Sequence, residues 1–305
     1  MHRGRGRACP DRQLATDDRR ADPRVRSAEQ VNNVKNVVAH GLRYVDLDDT
    51  FGCYIPQNES SSAAEVEFIY TEIFRENCYL RGGITLHDAA FVVDVGANVG
   101  LFSLYVKAKY PNARILAFEP MPSTHRALRA NLEHHKVDGV IAIEQALGAK
   151  WEPEVTFTFY RDIPGNSTRY PEHKDRTWEL IAGLPESIVH AFFGNEGFAV
   201  AERLLQGKLE VEVSVDRLSD VLARYETPEI IDLVKIDVEG AELDVLGGID
   251  ETDWARIRQL VAEVQDLDGE LSAVRDLLET KGFDVSVPKS ALSLLRTYTV
   301  YAHRR

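Results

Sequence analysis

Apolar residues along this chain fall into short runs that alternate between two periods. Phe91-Val-Val-Asp-Val95, Ala113-Arg-Ile-Leu-Ala-Phe118, Val140-Ile-Ala-Ile-Glu-Gln-Ala146, Ile230-Ile-Asp-Leu-Val-Lys-Ile236 and Gln259-Leu-Val-Ala-Glu-Val264 are rich in β-branched and aliphatic residues. Each is bounded by turn formers and reads as a buried strand. Between them the spacing becomes helical: Leu101 to Val106 opens a helix over 98–109, and Leu271, Val274, Leu277 and Leu278 mark one over 268–281. Phe283–Val287 and Thr297–Tyr301 then read as a closing antiparallel hairpin. Strands alternating with helices predict an α/β fold. The sheet is doubly wound, seven-stranded and mostly parallel, with helices on both faces and an antiparallel final strand.

Two stretches break the rhythm. Before the first core strand, residues 27–84 read as a cap: short strands at Leu42–Leu47 and Phe51–Ile55, then a helix over 63–80 ended by Gly82-Gly83. The aromatic face of that helix suits core packing or closure over a ligand. The core domain itself spans 85–305 and carries an insertion at about 150–207, ahead of the fourth strand. In or beside it Val155–Tyr160 and Leu209–Val215 alternate as strands, Pro164–Thr168 is a small polar loop, and 175–207 reads as interrupted helix. The insertion is the natural wall of a substrate pocket. His173, His190, Tyr160, Tyr170, Trp178, Phe192 and Phe193 are its candidate lining residues, each equally at home in local core or on the surface.

Charge narrows the partners. The formal net charge is −13, which offers no broad basic surface to a nucleic-acid backbone. Residues 1–26 are the exception, with eight arginines against four aspartates and few apolar residues. They read as a disordered, solvated leader, or as an arm for an anionic partner. Cys9, Cys53 and Cys78 form neither a disulfide framework nor a zinc pattern, so a cytoplasmic location is expected. No apolar run approaches the ~20 residues of a membrane span, and no secretory core is present. Nothing in the chain marks an oligomer interface.

The candidate chemistry centres on Asp94-Val-Gly-Ala-Asn-Val-Gly100. A strand, a glycine-spaced turn and a helix start form the layout that binds a nucleotide-like ligand at the carboxyl edge of a parallel sheet. The spacing is Gly-x-Asn-x-Gly rather than Gly-x-Gly-x-x-Gly, and Asp94 would repel a pyrophosphate. An acid there suits a ligand with a positive amine, such as S-adenosyl-L-methionine. Asp94 is thus expected to face the amine, directly or through water. Gly96, Ala97, Asn98 and Gly100 give the backbone approach. Glu119-Pro120, at the end of the second strand, is placed to hold both ribose hydroxyls. Gln145 and Ala146, at the end of the third, would border the adenine. The plainer reading of Gln145 is a surface amide at a strand end.

Val93-Asp-Val-Gly-Ala-Asn-Val-Gly-Leu-Phe-Ser103, Ala117-Phe-Glu-Pro120 and Leu233-Val-Lys-Ile-Asp-Val-Glu-Gly-Ala-Glu242 together resemble the FkbM family of S-adenosylmethionine-dependent methyltransferases, over about residues 65–285. Val211 to Asp220 resembles the family's lead-in to the last motif. The resemblance implies a class I, Rossmann-like methyltransferase fold and O-methylation of a small molecule in natural-product or sugar chemistry. One departure is Gln265, where the family often carries His after the fifth strand. Methyl transfer needs the acceptor positioned behind the methyl carbon with water excluded, and a hydroxyl acceptor gains from a base. Asp237, at the end of the fourth strand, is the expected acceptor-side acid. Lys235 shares its face and would hold an acid ionised; the plainer reading is a structural ion pair. Glu239 and Glu242 are expected in the first turn of the next helix, where acids suit the macrodipole. A divalent metal on Asp237 and Glu239 is disfavoured, since only two acids are in reach. Methylation of a carboxylate, an NAD-dependent oxidoreductase on a similar sheet and a non-catalytic S-adenosylmethionine-binding module are the alternatives.

Overall fold

Phe91–Val95 is buried at all five positions, as a strand must be when it has neighbours on both sides and helices above and below. Our computed structural model describes residues 41–57, 62–185 and 207–304. The elements in chain order are β1 (Leu42–Asp46), β2 (Gly52–Pro56), α1 (Ser62–Tyr70), β3 (Phe91–Val95), α2 (Leu101–Lys109), β4 (Arg114–Phe118), α3 (Pro122–His134), β5 (Val140–Ile143), β6 (Ala146–Leu147), β7 (Glu152–Tyr160), α4 (Pro171–Ala182), β8 (Lys208–Asp216), α5 (Leu218–Arg224), β9 (Leu233–Ile236), α6 (Glu242–Gly247), α7 (Glu251–Trp254), β10 (Gln259–Gln265), α8 (Glu270–Thr280), β11 (Asp284–Ser286) and β12 (Thr297–His303).

The seven-stranded sheet has the order β11-β12-β10-β9-β3-β4-β5. β5, β4, β3, β9 and β10 run parallel, and β12 lies antiparallel between β10 and β11. The expected class I architecture and closing hairpin are therefore present. Strand alternation sorts side chains to two faces. Val92, Ile115, Ala117, Leu233 and Val261 enter one buried cluster; Phe91, Val93, Val95, Leu116, Phe118, Val234, Ile236 and Leu260 enter the other. The first cluster continues into the N-terminal hairpin and helix through Cys53, Ile55, Val66 and Tyr70. Asn131 of α3 fastens that hairpin. Its amide donates to Tyr54 O (2.9 Å) and Val99 O (2.8 Å), and its Oδ1 accepts from Tyr54 N.

Several expectations need correction. The helix expected over 63–80 stays α-helical only to Tyr70. It passes into a π-helical turn, Thr71–Arg75, and a separate 3-10 turn at Cys78–Leu80. The helix expected from residue 98 starts at Leu101, because Gly96, Asn98 and Gly100 all take positive φ in the turn. The third strand ends at Ile143. Gln145 N folds back onto Ile143 O, and Ala146-Leu147 leaves for a second, three-stranded sheet, β6-β8-β7. Within the insertion, α4 runs Pro171–Ala182, opening four residues before the expected 175. The leader at 1–26, residues 27–40 of the cap, and 186–206 with His190, Phe192 and Phe193 lie outside the described residues. Among the described residues no helix is long and apolar enough to cross a membrane.

Replacing Asn131 by Ala orphans a buried amide and two buried carbonyls. The expected cost is about 2–3 kcal/mol of folding stability in urea denaturation. A change below about 0.5 kcal/mol, the usual surface level, would show that the hairpin is held by its apolar contacts alone.

Candidate active site

The strands dictate an ion cluster at the carboxyl edge. Asp94 on β3 and Lys235 on β9 are register partners and share the face of Val92 and Leu233. Both are buried, Asp94 at 0% and Lys235 at 3% exposure, and the Lys235 ammonium stands 3.3 Å from Asp94 Oδ1. Ser103 Oγ donates to the other oxygen, Oδ2, at 2.8 Å. The same ammonium donates to Gly96 O (2.6 Å) and lies 3.7 Å from Asp237 Oδ2. Burial pulls the lysine's proton affinity down, but Asp94 and Asp237 outweigh it, so its pKa stands above the ordinary lysine value. Tyr79, from the 3-10 turn, donates its hydroxyl to Asp237 Oδ2 at 2.7 Å and places its ring 5.3 Å from the ammonium.

The turn after β3 is built on close approach. Gly96 has φ +77°, and a Cβ there would stand 1.7 Å from the carbonyl oxygen of Asp237. Gly96 N and Ala97 N both donate to Phe118 O, while Asp237 N donates to Val95 O. The glycine turn is thereby locked to β4 on one side and to the end of β9 on the other.

Two cavities open at this edge. The first, about 640 Å³ with the open solvent at its mouth counted in, is lined by Gly96, Asn98, Glu119, Pro120, Gln145 and Ala146, with Phe118, Met121 and Leu147 among its apolar walls. Glu119 is 6% exposed. Its Oε2 accepts from Asn98 N (3.0 Å) and its Oε1 from Met121 N (2.9 Å), which fixes the carboxylate as a fork with one lone pair left on each oxygen. Burial pushes its pKa up to about 7 despite those bonds. Gln145 lies at the cleft with its amide on Ser214 Oγ at 3.4 Å. The second cavity, of about 710 Å³, lies under the cap. It is lined by Phe68, Ile69, Ile73, Tyr79, Phe102, Lys235 and a set of acids. Gly96, Asn98, Gly165, Asp237 and Glu239 line both cavities, so the two meet at the glycine turn and Asp237.

The residues expected from sequence thus converge, with four shifts of role. Asp94 lines neither cavity; it stands behind the wall, held by Ser103 and Lys235, so no direct contact with a ligand's amine is available to it. Gly100 also lines neither; it is the N-cap of α2 at φ +93°, packed on Leu128. Ala97 faces the second cavity. Glu239 is not in the helix's first turn: it sits before α6 at φ +57°, ion-paired with Lys174, and accepts from Gln265 Nε2 at 2.6 Å. Glu242 does open α6. The sequence reading passed over Tyr79, Glu65 and Glu72. Glu65 and Glu72 are seven residues apart and so share one stripe of a helix. That polar stripe beside Ile69 and Ile73 was the available signal. The loop at Pro164–Asn166 reaches the site because Gly165 N donates to Glu65 Oε1 at 3.0 Å.

The methyltransferase FkbM domain matches this chain over residues 94–285. "Methyltransferase 1" of Beauveria bassiana is 38% identical over 85% of this chain and 97% of its own length. "Methyltransferase sdnD" of Sordaria araneosa is 40% identical over 74% of this chain and 85% of its own. The "31-O-demethyl-FK506 methyltransferase FkbM" of Streptomyces tacrolimicus is 39% identical, covering 76% and 86%.

Lys235→Met removes the cation and leaves Asp94 buried beside a neutral serine. The expected loss is about 3–5 kcal/mol in urea denaturation, and Asp94→Asn in the same chain should restore part of it. Strictly additive losses would show that the two side chains are not energetically coupled.

Proposed function

We propose that this chain, which belongs to the FkbM methyltransferase family, uses S-adenosylmethionine to methylate a hydroxyl oxygen of a small molecule. The observation that carries the reading is the meeting of two cavities at Gly96 and Asp237, one suited to a nucleoside and one to an acceptor. The Glu119 fork supports adenosine binding in particular, because its two free lone pairs match a ribose diol. Asn98 Oδ1 is buried without a hydrogen-bond partner at the junction, and a ligand's donor would satisfy it.

In this reading Glu119 holds the ribose, while Pro120, Gln145 and Ala146 wall the adenine. Gly96 and Asn98 pass the methionine portion toward the junction. S-adenosylmethionine, when bound, supplies a methyl group already activated on sulfur. The chain's own part is to position and to handle one proton. Tyr79 and Lys235 fix the Asp237 carboxylate from two sides. Asp237 orients the acceptor hydroxyl and takes its proton as the oxygen becomes the nucleophile. The apolar side chains of Phe68, Ile69, Ile73 and Phe102 keep water from the acceptor. The relative named for 31-O-demethyl-FK506 supports an oxygen acceptor and a natural-product setting.

Two measurements test this. Ribose hydroxyls donate to the ionised form of Glu119, whose pKa stands at about 7 before binding. Affinity for S-adenosylmethionine, measured by calorimetry, should therefore be full above that pH and fall by up to about tenfold per pH unit below it. Glu119→Gln should weaken binding by roughly 10–100-fold and flatten the profile. Retained affinity in that variant would remove the ribose role. Asp237→Asn should keep cofactor affinity within a few-fold while turnover on an identified acceptor falls by about 10²–10⁴. Undiminished turnover would take Asp237 out of the mechanism.

A further inference from the structure

Five acids open onto the acceptor cavity: Glu65, Glu72, Asp237, Glu239 and Glu263. The cations against them are few. Lys235 is shared between Asp94 and Asp237, and Lys174 pairs with Glu239. Glu65 accepts from Gly165 N and from Asn166 Nδ2. Among the described residues, Glu72 and Glu263 have no ion-pair or hydrogen-bond partner, though both line the cavity, one from the π-helical turn and one from β10. Burial first, and then Asp237 and the neighbouring glutamates, push Glu72 up to about 7 and Glu263 well above the usual carboxylate range. A cation in the cavity would relieve that repulsion.

A second observation points the same way. Asn98 Oδ1, in the lining of this cavity, is buried and lacks a donor. It requires an N–H or O–H from elsewhere. Gln265 does not line the cavity, but its amide nitrogen holds Glu239 from behind at 2.6 Å. No three His, Cys, Asp or Glu side chains among the described residues are grouped to hold a metal ion. The acids are spread along a wall, which suits an organic ammonium with several N–H donors. The remaining lining, with Phe68, Ile73, Tyr79 and Phe102, suits an apolar body.

We propose that the methyl acceptor is an amino alcohol whose protonated amine lies among Glu72, Glu263 and Glu239 while its hydroxyl faces Asp237. The proposal rests on the methyl-transfer reading and names the acceptor class for that site. It also disfavours the carboxylate acceptor considered from sequence, which would add negative charge to a cavity whose two cations are already paired.

Calorimetry on the full chain with S-adenosylhomocysteine bound tests it with three probes of equal length: 6-aminohexan-1-ol, hexane-1,6-diol and 6-hydroxyhexanoate. The amino alcohol should bind about tenfold or more tighter than the diol, and the hydroxy acid weakest. Glu72→Gln and Glu263→Gln should each weaken the amino alcohol by about fivefold or more and leave the diol unchanged; unaltered melting would confirm the fold. The proposal is overturned if the diol or hydroxy acid binds as tightly. It is equally overturned if the amino alcohol fails to bind while S-adenosylhomocysteine does, or if neither substitution alters its affinity. Failure of S-adenosylhomocysteine itself to bind would instead remove the methyl-transfer reading, and this proposal with it.

Discussion

One buried ammonium ties this site together. Lys235 reaches Asp94 on its neighbouring strand, the carbonyl oxygen of Gly96 in the turn, and Asp237 just past the end of its own strand. A lone lysine at that depth would be too costly to keep charged. Two acids on the same sheet face make it affordable and raise its proton affinity. The glycine turn, the central strand and the acceptor-side acid are therefore positioned by a common partner. Asp94, conspicuous in the sequence, lines neither cavity and is held behind them by Lys235 and Ser103.

How much of this was legible depends on range. The seven strands, the turn, Glu119 and Asp237 could be read because each is marked within a few residues by period and punctuation. Lys235 could be placed on the face of Asp237 by alternation alone. Its pairing with Asp94 needed the strand order, which brings β3 and β9 side by side although the insertion separates them in the chain. The break after Ile143 carries a local mark, the polar pair Glu144-Gln145, but that Ala146-Leu147 then joins another sheet is set by the distant partner strand β8. Tyr79 carried no local signal at all. It reaches Asp237 from a turn that follows Asn77 in the left-handed region, and its phenol meets the site across a sequence separation of 158 residues.

The cap and the insertion were read as separate additions, and the structure joins them. Glu65 on α1 accepts the Gly165 amide from the turn after β7. Gly165 in turn crowds Asn98, where a Cβ would stand 2.9 Å from both Asn98 Nδ2 and Glu65 Oε1. Cap, insertion and glycine turn meet within a few ångströms: Asn98 and Gly165 line both cavities, and Glu65 lines the second. The junction of the two cavities is thus assembled from three parts of the chain.

The absence of room at Gly96 has a consequence for motion. With the carbonyl of Asp237 where a side chain would begin, and with Val95, Phe118 and Lys235 each bonded across the same corner, the floor of the site moves as a rigid piece. Exchange of one ligand for another cannot come from flexing that floor. It falls to the roof, where the π-helical turn sits and where the loop after β7 is held to α1 through one carboxylate, Glu65, which accepts from Gly165 N and Asn166 Nδ2. The timing of a catalytic cycle here would accordingly be set by how fast the roof lifts, while its geometry is set by the floor.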